Sequence, residues 1–172
     1  MRRYLVLVRH AKSSWDDSTL VDHDRPLAPR GENALPRMRD HLASGAHRPQ
    51  VVLCSSARRT VATLEGIRAA IPDDVRVEVD HTLYDADGRE LLDRLHSLDE
   101  GTTCAMLVGH NPSLQDLALR LAGAGDSDLR QQLATKLPTG AIVTLSFDSA
   151  WAELGTRGAR LDDLFLPRRP RP

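Results

Sequence analysis

The stretch Leu5-Val6-Leu7-Val8-Arg9-His10 decides how this chain is read. Four apolar residues run together, with valine at alternate positions and no Gly or Pro, which is the pattern of a buried strand. The run then stops in a guanidinium and an imidazole. In open α/β sheets, ligands bind in the crevice outside the carboxyl ends of the strands. Arg9 is a permanent cation suited to phosphate or carboxylate. His10 can serve as nucleophile, base or ligand. Taken alone, the pair fits a surface ion pair beside a packed loop equally well.

The chain has 172 residues, 41% hydrophobic and 27% charged, which fits one globular domain with a core of ordinary size. That domain is expected over residues 1–166, with Pro167–Pro172 as a disordered Pro/Arg tail. Aromatic residues are only 3%, so Leu, Val, Ile and Ala must fill the core. A formal net charge of -1 gives no argument for nucleic acid or a membrane surface. No apolar run approaches a transmembrane span, and the run after Arg2-Arg3 is too short for a signal-peptide core. The expectation is a cytoplasmic monomer. Cys54 and Cys104 sit in apolar runs and read as buried thiols. Neither has metal-ligand spacing, and no metal or cofactor is expected.

Working outward, Ala11–Ala28 is a long polar loop. A helix follows from the Pro29–Pro36 region to Ser44, carrying Leu35, Met38 and Leu42. Pro36 belongs in a first turn, so its position leaves the helix start open. Val51–Cys54 is a second buried strand, with Ser55-Ser56 at the N-cap position of a helix carrying Val61, Leu64, Ile67 and Ile71. Val75, Val77 and Val79 alternate with charges, as in a strand near the sheet edge with one wet face. A helix carries Leu91, Leu92, Leu95 and Leu98, and Cys104–Val108 is again a buried strand. The next helix holds Leu114, Leu117 and Leu121 and ends at Gly123-Ala124-Gly125. A short helix over Asp126–Lys136 and strands over Ala141–Phe147 and Ala159–Leu166 complete the reading. Strands alternating with helices predict a single-domain, three-layer α/β/α fold with a mostly parallel central sheet.

In a parallel sheet the strand ends share one edge. Arg9-His10, Ser55-Ser56-Ala57-Arg58-Arg59, Tyr84-Asp85-Ala86-Asp87 and Gly109-His110-Asn111-Pro112 then converge. Guanidiniums and imidazoles around one point make a cage for a phosphoryl dianion. A neutral imidazole inside it can attack phosphorus, while a carboxylic acid protonates the leaving oxygen.

Arg9-His10, the Ser55…Arg59…Thr63 spacing, Leu83-x-Asp85 and Gly109-His110 together resemble the histidine phosphatase (phosphoglycerate mutase-like) superfamily. Arg9-His10-Ala11-Lys12-Ser13, Arg25-Pro26-Leu27, Arg30-Gly31 and Gly109-His110-Asn111-Pro112 are similar to its SixA-like phosphohistidine phosphatase branch. The resemblance implies a metal-independent phosphatase that forms a covalent phosphohistidine. Its substrate would be a phosphohistidine protein, a small phosphate ester or a nucleotide polyphosphate. His10 matches the nucleophile, Arg9 and Arg59 the phosphate-binding arginines, and His110 the second histidine. Arg59 is preferred to Arg58 on spacing. Asp85 matches the general acid but is one methylene shorter than the usual Glu, and Asp87 and Asp22 are substitutes. Ala11 stands where Gly is common, so ordinary backbone dihedrals are expected there.

Around this set, Lys12 and Ser13 contact substrate or belong to a solvated loop. Arg25 reaches the rim or pairs with a neighbouring Asp, and Asn111 contacts substrate or braces its turn. His23, His41, His47, His81 and His96 lack a partner pattern and read as surface residues. The competing reading is a phospho-ligand binding module without turnover. A cysteine phosphatase is rejected, because the step from Cys54 to Arg59 is too short for its loop. A mutase is disfavoured by the lack of long insertions.

Overall fold

The computed structural model describes residues 1–167; of the Pro/Arg tail only Pro167 falls within them. Pro167 is buried, and its carbonyl accepts a hydrogen bond from Arg37.

The opening run becomes β1 (Arg3–Arg9), in the middle of a seven-stranded sheet. Its side chains alternate between two cores. Leu5 and Leu7 join the leucines of α3 (Gly88–His96), α4 (Ser113–Leu121) and α5 (Ser127–Thr135). Val6 and Val8 join Met38 of α1 (Pro29–Ser44) and Leu64 and Ile67 of α2 (Arg58–Ile67) on the other face. Helices therefore cover both faces, as the unbroken apolar strands require.

The remaining strands are β2 (Val51–Ser55), β3 (Arg76–Asp80), β4 (Cys104–Gly109), β5 (Ala122–Gly125), β6 (Ile142–Phe147) and β7 (Ala159–Phe165), in the order β3-β2-β4-β1-β6-β7-β5. Four pairings are parallel, and only β6 runs against its neighbours β1 and β7. That reversal matters. β6 starts beside the end of β1, with Ile142 opposite Val8, so the segment leading into β6 reaches the edge where His10 lies. Gly140 N–H donates to the carbonyl of His10 at 2.9 Å, at a φ of 78° that favours glycine.

Four local readings need correction. Pro36 lies inside α1 rather than in its first turn. Both Pro36 and Glu32, whose carbonyl loses its usual helical donor, are exposed, so water can take that bond. Ser55 and Ser56 do not cap α2; Ala57 holds the N-cap position with no side-chain cap. Gly123-Ala124-Gly125 is not a helix terminus but part of β5, paired in parallel with β7. The β3 valines do not face inward: Val77 and Val79 are 40% and 54% exposed on an edge strand, and Val75, before the strand, makes the core contact.

One close approach seats the loop after His10. A Cβ on Gly31, in the first turn of α1, would lie 2.1 Å from the carbonyl oxygen of Lys12. That oxygen accepts the Ala28 N–H at 2.8 Å. Gly31→Ala is expected to cost about 1–3 kcal/mol of stability, read from urea unfolding, because backbone rather than a flexible side chain must yield. A variant as stable as the parent would show that this loop is not pinned.

Candidate active site

The site is built at the carboxyl ends of β1, β2 and β4. His10 follows β1 and is 6% exposed; His110 follows β4 and is 8% exposed. Their ring centroids are 5.3 Å apart. His10 Nδ1 lies 2.7 Å from the carbonyl of Ala11. A carbonyl only accepts, so Nδ1 carries the hydrogen and Nε2 keeps its lone pair. Burial, reinforced by His110, Arg59 and Arg9, pulls the His10 pKa down to about 3 against the bond to Ala11. The ring is therefore neutral at neutral pH.

The Ala11 carbonyl is itself held. Ala11 N–H donates to Thr63 Oγ1 at 3.0 Å, and Thr63 donates to the Arg59 carbonyl at 2.6 Å. The four-residue step from Arg59 to Thr63 is thus one turn of α2, tying the loop after His10 to the arginine's helix.

His110 Nε2 lies 2.7 Å from Ser55 Oγ. Ser55 Oγ also accepts the Ala57 N–H at 3.4 Å. His110 Nδ1 is buried without a hydrogen-bond partner among the described residues. Burial, then Arg59, draws its pKa down to about 4. Arg9 Nη1 donates to the Leu137 carbonyl at 2.8 Å, while its buried Nε has no partner among the described residues. Burial and the nearby Arg59 lower the Arg9 pKa, and no described carboxylate pairs with it. An unpartnered guanidinium donor on Arg9 and an unpartnered ring nitrogen on His110, beside a neutral imidazole, suit an incoming anion.

Arg59 is buried and Arg58 exposed, in line with the spacing. Arg59 donates to the Asp22 carbonyl at 2.8 Å and to Asp22 Oδ2 at 3.0 Å. The same carboxylate takes Arg25 at 2.8 Å and the Tyr84 hydroxyl at 2.5 Å. Tyr84's hydrogen bond leads these contacts in holding Asp22 near 2, hence ionised. Asp22, expected as a substitute acid, is instead ionised and positions Arg59, with Tyr84 holding it; a polar loop with four Asp gave no signal of that role, and Tyr84 gave none of its own.

The other expected residues separate. Arg25 is buried; besides Asp22 it bonds Ser13 Oγ at 2.5 Å and the Ser14 carbonyl, and lies 3.2 Å from the centre of the Trp15 ring. Ser13 and Arg25 thus brace the loop. Asn111 donates to the Leu137 carbonyl at 3.0 Å and to Gln115, bracing the segment that Arg9 also holds. Asp87 is occupied as the N-cap of α3, in a capping box with Glu90. Asp85 is exposed and makes no side-chain hydrogen bond among the described residues. His23 and His81 flank the Ser56 hydroxyl at 2.9 and 3.1 Å, so His23 is not a bare surface residue. His41 pairs with Asp163 at 2.8 Å, and His47 stacks on Tyr4. Cys54 is buried and pushed up to about 12, which removes it as a thiolate nucleophile. No group of His, Cys, Asp or Glu among the described residues is arranged to hold a metal, and no described helix is long and apolar enough to cross a membrane.

Comparison with known proteins agrees with this geometry. The model of the histidine phosphatase superfamily (branch 1) matches residues 5–91. The chain belongs to that superfamily. An uncharacterised protein of Mycobacterium leprae (strain TN) is 33% identical over 167 residues, covering 94% of this chain and 100% of the relative. The structure of a candidate phosphohistidine phosphatase SixA from Nakamurella multipartitia superposes with a TM-score of 0.84 at 28% identity, covering 97% of each chain. A second candidate SixA, from Agrobacterium tumefaciens, gives 0.80 at 25%, covering 96% of this chain and 98% of that one. The phosphoglycerate mutase-like architecture expected from the sequence is therefore the one present.

The two depressed imidazoles make stability depend on pH. Unfolded, each protonates near the ordinary 6.5; folded, they resist to about 3 and 4. Between those limits the unfolded chain binds more protons, so stability is full above about pH 6.5 and falls as pH drops. Each group contributes a slope of at most about 1.4 kcal/mol per pH unit. Urea midpoints between pH 7 and 5 are expected to fall for the parent and to fall less steeply for His10→Asn and His110→Asn. Equal slopes in all three would contradict the buried neutral state.

Proposed function

We propose that the chain is a phosphatase acting through a covalent phosphohistidine at His10, with a protein phosphohistidine as its substrate. One observation carries this reading: the neutral, buried His10 imidazole keeps its Nε2 lone pair, packs 5.3 Å from the His110 ring and feels the charges of Arg9 and Arg59, with the buried Arg9 Nε unpartnered among the described residues. Nε2 attacks phosphorus and the bond to the leaving imidazole nitrogen breaks, its electron pair returning to that ring, which takes a proton from water. Water oxygen then attacks the phosphoryl group and the bond to His10 breaks with its pair returning to Nε2. The water loses a proton to solvent as inorganic phosphate leaves. Both guanidiniums spread the charge on the equatorial oxygens.

The choice of a P–N substrate rests on the acids. Asp22 is ionised and bound to arginines, Asp87 caps a helix, and Asp85 is exposed without a partner among the described residues. An imidazole leaving group needs less protonation than an alkoxide, so a site without a held acid suits phosphoramidates. The SixA-like neighbours at 28% and 25% identity support the same direction.

Phosphate release from phosphoimidazole, a phosphohistidine protein and p-nitrophenyl phosphate tests this, with EDTA present. The P–N substrates are expected to turn over, with His10→Ala slower by on the order of 1,000-fold or more. Asp85→Asn is expected to retain P–N activity to within about threefold, since no acid is needed there. Activity that survives His10→Ala, or a parent inert on both P–N compounds, would overturn the proposal.

A further inference from the structure

Beside the catalytic edge lies a second site with its own chemistry. It is a cleft of about 400 Å³ lined by Lys12, Arg30, Asn33, Arg37, Pro138 and Thr139, with Ala34 and Pro167 completing its walls. Three of its residues are cations and none is acidic. Among the described residues, none of the three cations is in an ion pair with a carboxylate, whereas Arg59 in the catalytic corner and Arg25 in the loop beside it share Asp22. Arg30 and Arg37 are exposed, and Arg37 spends one nitrogen on the Pro167 carbonyl.

Both walls are tied to the nucleophile. Lys12 lies two residues beyond His10, a Cα separation of at most about 7 Å. Thr139 precedes Gly140, whose N–H bonds the His10 carbonyl. A substrate held at His10 therefore extends naturally over this cleft. Its floor is one face of α1, where Arg30, Asn33, Ala34 and Arg37 follow helical spacing. The two arginines stand two turns apart, about 10 Å along the axis. Cations spread over that length match spaced carboxylates along a polypeptide better than one compact phosphate. A guanidinium fork takes a carboxylate in bidentate fashion.

We infer that this cleft docks an acidic segment of the substrate protein, so that a phosphohistidine flanked by Glu or Asp is preferred over one in a neutral setting. The inference rests on the phosphohistidine reading above and adds the substrate's sequence context to it. The charge match also speeds encounter, and it weakens as salt screens the exposed arginines.

The test compares phosphohistidine peptides of equal length flanked by glutamate or by glutamine. At low salt the parent is expected to favour the acidic peptide in kcat/KM by about tenfold, falling towards parity in high salt. Arg30→Gln with Arg37→Gln is expected to reduce the preference to within about twofold while leaving the neutral peptide's rate unchanged. Arg30→Gln alone, which touches no described bond to Pro167, should remove part of the preference and guards against misfolding of the double variant. Equal rates on both peptides, or a preference that survives both arginine changes, would overturn the inference. So would a parent that ignores peptide charge yet favours propane-1,3-diyl bisphosphate over propyl phosphate, which would make the cleft a second phosphate site. If no peptide turns over at all, the phosphatase reading fails first. Titration of the unphosphorylated glutamate peptide into the parent and the double variant then still decides the cleft: tighter binding to the parent supports it, and equal binding overturns it.

Discussion

The hydrogen bond from His10 Nδ1 to the Ala11 carbonyl is the contact on which the site depends. It sets the tautomer, and the tautomer decides whether the lone pair on Nε2 is available. Because donor and acceptor belong to adjacent residues, the bond holds only if the backbone there is fixed. The fold fixes it from three directions. Thr63 of α2 takes the Ala11 N–H, Ala28 before α1 donates to the Lys12 carbonyl, and Gly140 before β6 donates to the His10 carbonyl. Three elements distant in sequence thus converge on one short turn at the end of the central strand. The antiparallel direction of β6 brings the third of these anchors to the sheet edge where His10 lies.

Placing two imidazoles and two guanidiniums in one buried corner is electrostatically unfavourable until an anion arrives. The molecule handles the four groups differently. Both imidazoles stay neutral. Arg59 is offset by Asp22, which Tyr84 and Arg25 hold in place. Arg9 keeps its charge with only a carbonyl for company among the described residues. The least compensated of these cations is therefore the one next to His10, so the corner is arranged to gain most from a ligand that brings its own negative charge.

Much of this was legible in the sequence because strands carry short, position-specific signals. The apolar runs ending in Arg9-His10 and Gly109-His110 located the sheet edge, and the step from Ser55 through Arg59 to Thr63 singled out the buried arginine over its exposed neighbour. What was not legible depended on partners far along the chain. Ser55 looks like a helix cap in sequence, and only the fold brings His110 to its hydroxyl. Asp22 is one carboxylate among several in a polar loop, and its choice of Arg59 is a tertiary fact. Val77 and Val79 alternate like an inward face, and the strand does lie at the sheet edge as read, but those side chains turn outward. Gly123-Ala124-Gly125 has little side chain to show a strand pattern, and its place beside β7 is set by pairing. Asn111 and Arg25 stand near the site in sequence but act on backbone and loop rather than on its centre.

The most direct measurement is to identify the atom that carries the phosphoryl group during turnover. The protein would be mixed with phosphoimidazole, quenched in alkali, where phosphohistidine survives, and mapped by mass spectrometry. A phosphoryl group on the peptide containing His10, acid-labile and absent from His10→Ala, is the expected result. Turnover with the group on any other residue, or with no covalent intermediate under conditions where hydrolysis is slowed, would contradict the role of His10 as nucleophile.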